Sequence, residues 1–235
     1  MKKVLILVVA IAILLPGAAS AKEPSLFSIY LKDRTPENFL KAFEHYESLR
    51  ADTVNYSAAS VLAYLSLIEL EKNLEILEEN KAELKNKTMF SYGNILLELG
   101  RYDESIAIYD MLNEKSPKWS CPWRHKGEAY WKHGELASAV MALKKAIETR
   151  ETHYDAYVML ADVYRDLEEY ETALETLEKG LTYYGKDIED PEEEVANIDV
   201  AFLHLDLLKK CGKKAEYDEM FEKLTKIYPD DERLK

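Results

Sequence analysis

One order of residue types recurs along this chain at a fixed separation. The stretch "TMFSYGNILLELGRYDESIAIYDMLNEKSP" is followed by "CPWRHKGEAYWKHGELASAVMALKKAIETRE" and then by "DAYVMLADVYRDLEEYETALETLEKGLTYYG". Aligning Gly100 with Gly134 and Glu168 gives a step of 34 residues twice. In that register Gly93, Gly127 and Ala161 coincide, and so do Ser105, Ala139 and Ala173. A unit of this length is a single supersecondary element whose apolar face is buried only by stacking on its neighbours. Small residues let two helices cross closely. Gly100 and Gly134 stand where the chain must turn left-handed to end a first helix. Pro117 stops a second helix, after which Ser120 or Cys121 is expected as the next N-cap, with Pro122 in the first turn.

These residues resemble the tetratricopeptide repeat family. The unit opening at Ser120 supplies Trp123, Gly127, Tyr130, Gly134, Ala139 and Ala146. The next supplies Tyr157, Ala161, Tyr164, Tyr170 and Ala173, and the first supplies Gly93, Gly100, Tyr102, Tyr109 and Pro117. The resemblance implies an all-α, right-handed superhelical solenoid of helix pairs with units at 86–119, 120–153 and 154–187. A degenerate copy at 198–231 carries Gly212, Phe221, Leu224 and Pro229, with Leu205 and Tyr217 at the small positions. It reads as a C-terminal cap, placed after an insertion of about ten residues, "IEDPEEEVAN", that is expected to extend its first helix towards the N-terminus.

Upstream, residues 22–85 keep helical periodicity without the 34-residue pattern. Phe39, Leu40, Phe43 and Tyr46 follow a Thr35, Pro36, Glu37 helix start, and Val61, Leu62, Leu65, Ile68, Leu74, Leu77 and Leu84 continue the apolar spacing. A helical N-terminal cap with one or two diverged units is expected there. The opening "MKKVLILVVAIAILLPGAASA" has two lysines, an apolar run from Val4 to Leu15, a Pro16–Gly17 break and Ala19, Ser20, Ala21. That is the layout of a secretory signal peptide over 1–21, cleaved to leave Lys22 first. The run is shorter than the ~20 apolar residues that span a bilayer, so no stable membrane insertion is expected after cleavage. The expected location is periplasmic or secreted.

Loss of Lys2 and Lys3 leaves 29 basic against 44 acidic residues, a surface that repels nucleic acid and anionic lipid. Cys121 and Cys211 fall in units two apart and are expected not to bridge within the chain. No glycine loop for phosphate, paired-cysteine metal motif, haem attachment sequence or nucleophile elbow occurs. His125 and Glu128 share a helix face but have no second such pair, so neither a metal nor another cofactor is expected, and no enzyme activity.

What remains is a binding surface. The resemblance implies that positions five, nine and twelve of each first helix face a concave groove that takes a peptide or protein segment. These are Phe90, Asn94 and Leu97; Arg124, Glu128 and Trp131; Val158, Asp162 and Arg165; and Phe202, Asp206 and Lys209. The leading expectation is a non-catalytic scaffold or adaptor assisting the assembly or stability of a cell-envelope complex. The alternatives are a soluble periplasmic ligand-binding component of a transport system, with a cavity closed by residues 22–85, and an inert accessory domain of a catalytic complex.

Overall fold

The structure, a computed structural model, describes residues 29–30, 32–50, 71–184 and 197–234. The signal peptide, the cleavage point at Lys22, Val61 to Ile68 and most of the acidic insertion lie outside the described residues. Ten α-helices are described: α1 (Pro36–Arg50), α2 (Glu71–Asn80), α3 (Asn86–Glu98), α4 (Tyr102–Lys115), α5 (Ser120–His133), α6 (Leu136–Thr149), α7 (Tyr154–Asp166), α8 (Tyr170–Leu181), α9 (Asn197–Lys210) and α10 (Lys214–Ile227). A short 3₁₀ turn, Glu232–Leu234, follows. No strand and no helix long and apolar enough to cross a membrane occurs among the described residues.

The chain divides into two compact units after Leu99. The division falls in the turn between α3 and α4, inside the expected 86–119 repeat. In the first unit, α1 packs on α2 and α3. It opens as its sequence predicts, with Pro36 as first helical residue and the Asn38 amide donating to Thr35 Oγ1 at 3.3 Å. Phe39, Phe43 and Leu77 are fully buried, and the rings of Tyr30, Phe39 and Phe43 follow one another at 5.8 and 5.7 Å. Leu40 is half-buried. Across this unit the Tyr92 hydroxyl donates to Glu78 at 3.0 Å.

In the second unit the helices pack in chain order, α4 on α5, α5 on α6, and so on to α10. The first helices of successive pairs also meet, α5 with α7 and α7 with α9. One apolar core runs through the series, from Ala139 and Leu143 of α6 through Leu160 and Val163 of α7 and Leu174 and Leu177 of α8 to Leu203 and Leu207 of α9. A smaller cluster of Leu205, Leu224 and Leu234 closes the end.

Close approach inside each pair is visible at two glycines. A Cβ on Gly127 of α5 would stand 2.6 Å from Leu143 Cγ and 3.4 Å from the Ala139 carbonyl oxygen of α6. A Cβ on Gly180 of α8 would stand 2.5 Å from Tyr157 Cβ of α7. Each first helix ends alike: Gly134, Glu168 and Gly212 have φ of 88°, 63° and 69°. In each, two amides fold back on the last helical turn, as Gly134 N to Trp131 O at 2.9 Å and Glu135 N to Tyr130 O at 2.8 Å show. Gly134 has nothing near its would-be Cβ, so its requirement is for backbone conformation alone.

One expectation about caps is corrected. Helix α5 starts at Ser120 with Trp119 as N-cap, and no side chain satisfies that cap. Pro122 sits in the first turn, where its missing N–H costs nothing. Cys121 and Cys211 are both half-buried thiols with no disulfide between them. Burial and the nearby Glu171 carboxylate push the Cys211 thiol up.

Candidate functional site

The contact of α7 with α9 leaves a cleft of about 450 Å³ between them. From α7 it is lined by Val158, Asp162 and Arg165, and from α9 by Asp199, Val200, Phe202, Leu203 and Asp206. Helical periodicity explains the set, because residues three and four apart on each helix share one face. Five of these eight are sequence-derived groove positions, so the structure brings Val158, Asp162, Arg165, Phe202 and Asp206 together on one wall. Lys209 is exposed one turn further along α9.

The charges in the cleft are arranged unevenly. Arg165 pairs with Asp162 at 2.8 Å and with Asp166 at 3.1 Å. Burial pushes the Asp162 carboxyl up to about 6; the Arg165 guanidinium pulls it down, and the neighbouring Asp166 adds to the rise. Asp206 has no ion-pair partner among the described residues. Sequence reasoning missed Asp199, which lies at the first turn of α9. It accepts an ion pair from Arg233 Nη1 at 2.7 Å, and the Arg233 guanidinium carbon lies 3.8 Å from the Phe202 ring centre. Two further Arg233 nitrogens donate to Asp231, at 3.0 and 2.8 Å.

The α5 trio is placed differently. Arg124 is buried and engages Glu128 at 3.3 Å and His125 Nε2 at 2.7 Å. Since a guanidinium only donates, His125 Nε2 is an acceptor, and the ring donates through Nδ1 to the Cys121 carbonyl oxygen at 3.0 Å. Burial and then the Arg124 charge hold this imidazole neutral, well below its usual pKa. Glu128 also binds Lys132 at 2.8 Å. Trp131 is half-buried against the core, and its indole N–H donates to Asp166 Oδ2 at 2.7 Å. Trp131, Asp166, Arg165 and Asp162 thus form one polar chain tying α5 to α7.

Trp131 carries a prediction. Losing only the indole hydrogen bond in Trp131→Phe should cost about 1 kcal/mol. Trp131→Ala, which also strips its contacts from the core, should cost about 2 to 4 kcal/mol. Urea midpoints of the two variants measure the difference.

Phe90 and Asn94 are half-buried on α3, in the first unit, whereas Leu97 is buried outright. The alternative cavity would be closed by residues 22–85, of which 22–28, 31 and 51–70 lie outside those described.

Comparison with known proteins gives a consistent family. Models described as "Tetratricopeptide repeat" match residues 130–192 and 87–110. Superkiller protein 3 of Schizosaccharomyces pombe is 26% identical over 164 residues, which is 66% of this chain but only 12% of that protein. Among solved structures, PilW, titled a widely conserved type IV pilus biogenesis factor, matches with a TM-score of 0.61 at 20% identity, covering 89% of this chain and 86% of that one. MamA from Desulfovibrio magneticus RS-1 matches with a TM-score of 0.56 at 16% identity, covering 81% and 97%. These likenesses are of fold.

Proposed function

We propose that this chain, a member of the tetratricopeptide repeat family, is a non-catalytic scaffold that holds a segment of a partner protein in the cleft between α7 and α9 and so helps assemble or stabilise a complex in the cell envelope. The observation that carries the reading is the cleft itself. Helices from two successive pairs contribute apolar walls, an aromatic ring and carboxylates to one concave space, a composition suited to gripping a side chain and its flanking backbone. Within it Arg165 pairs with Asp162 and Asp166, and Asp199 pairs with Arg233, so the walls are held in place by their own ion pairs. The envelope location is supported by the amino-terminal pattern of two lysines, apolar run and Ala19, Ser20, Ala21.

Site-specific photo-crosslinking tests the reading. A photoreactive residue at Val158 or Phe202, in the cleft, should form adducts with protein of the envelope fraction. The same residue at Met141, 74% exposed on the second helix α6, should not. Equal labelling from both positions overturns the assignment of the cleft.

A further inference from the structure

Resting on the scaffold reading, we propose that the cleft recognises an arginine side chain of a basic partner segment, seated between Asp162 and Asp206 with its stem along Val158, Phe202 and Leu203. Three observations carry this. First, the lining holds three carboxylates, Asp162, Asp199 and Asp206, against the single guanidinium of Arg165, so an empty cleft has excess negative charge. Arg165 is already engaged by Asp162 and by Asp166 outside the cleft, and Asp206 has no ion-pair partner among the described residues. Second, the rest of the lining is apolar, which suits an arginine: its three methylenes are buried along apolar surface while the planar head carries the charge. About 450 Å³ leaves room for that side chain and a portion of its backbone.

Third, the chain already shows how this wall treats a guanidinium. Arg233 lies over the face of Phe202 with its carbon 3.8 Å from the ring centre while pairing with Asp199 at 2.7 Å. Stacking on an aromatic face combined with a planar bond to a carboxylate is a geometry that arginine makes and lysine does not. Arg233 satisfies Asp199, so the unmatched charge lies about two helical turns along α9 at Asp206, across the cleft from Asp162, whose partner Arg165 is shared with Asp166. Burial pushes the Asp162 carboxyl up, and a second cation beside it would favour its charged form further.

Fluorescence anisotropy with a labelled peptide carrying two arginines among leucines and glycines tests the assignment. Three companion peptides replace the arginines by citrulline, lysine or glutamate. The arginine peptide should bind saturably, the citrulline and glutamate forms at least tenfold more weakly, and the lysine form several-fold more weakly. Asp206→Asn should reduce arginine-peptide affinity about tenfold without altering the citrulline form. Thermal melts of the variant confirm that it is folded. Equal affinity for arginine and citrulline peptides, absence of saturable binding, or an unaltered affinity in Asp206→Asn overturns the proposal. The scaffold reading would survive any of these results if Val158 and Phe202 still crosslink to envelope protein and Met141 does not. Loss of that contrast defeats the scaffold reading itself.

Discussion

Gly180→Ala is expected to destabilise the second unit by about 2 kcal/mol, and Gly180→Val by more. Added carbon at this position falls 2.5 Å from Tyr157 Cβ and 3.1 Å from its Cγ, with the Tyr157 Cα at 3.8 Å. These atoms lie at the root of the side chain, so no rotamer change of Tyr157 relieves the clash. Relief requires α7 and α8 to move apart, and both helices bury core residues along their contact, Leu160 and Leu177 among them. Gly134→Ala is the control. It meets nothing within 4 Å and suffers only from its φ of 88°, so its cost should be about 1 kcal/mol. Urea denaturation followed by far-ultraviolet circular dichroism should rank wild type, Gly134→Ala, Gly180→Ala and Gly180→Val in falling order of midpoint. An alanine at 180 that unfolds with the wild type would show that the pair is not tightly opposed there.

Acid should weaken the second unit before most of its carboxylates titrate. His153 is 1% exposed, and neither ring nitrogen has a hydrogen-bond partner among the described residues. Burial, followed by the charges of Arg150 and Arg124, lowers its pKa from 6.5 to about 3. A base with a depressed folded-state pKa contributes its full stability above 6.5 and loses it as the pH falls from 6.5 towards 3, because the unfolded chain binds the proton first. Between pH 7 and 5 that is a loss of about 2 kcal/mol. His125, held neutral for similar reasons, acts in the same direction. Asp162 acts in the other: its carboxyl, raised to about 6, contributes stability as the pH falls through 6 towards 3.8, returning about 1 kcal/mol over the same interval. A net fall should therefore be seen in denaturant midpoints between pH 7 and 5, and His153→Asn should flatten it by the His153 share. An identical pH profile in His153→Asn would remove the buried imidazole as the cause.

Much of this architecture was legible because the repeat imposes steric requirements that few residues meet. Gly127 facing Ala139, Gly134 in the left-handed region and Pro36 opening α1 are each nearly forced by geometry, and each was readable from spacing. Glu168 shows the limit of residue type. It takes the same left-handed turn at φ 63° as the glycines it aligns with, so register, and not composition, reveals the turn. Gly180 was not legible because its partner, Tyr157, stands 23 positions earlier on a different helix, and no periodicity within α8 marks the contact. The cleft positions on α7 and α9 were legible through the family resemblance, which assigns positions five, nine and twelve of each first helix to the groove. Asp199 falls outside those three positions, although it shares their face of α9, three residues before Phe202. Arg124 looked like a wall residue by position, yet it is buried and engaged with Glu128 and His125, because a long side chain at a wall position is free to fold back along its own helix.

The chain-order packing of the second unit has a consequence for how fast this part of the protein acquires its structure. Its principal helix contacts join elements one or two places apart, from α4 with α5 to α9 with α10. Few contacts therefore require distant segments to find one another, and little loop-closure entropy must be lost before apolar burial repays it. Each helix pair has its docking surface ready in the pair just before it. During synthesis, α5 and α6 have their main partners as soon as α7 emerges, with no need to wait for the C-terminal cap, so exposed apolar faces are short-lived and structure is laid down from the amino-terminal side.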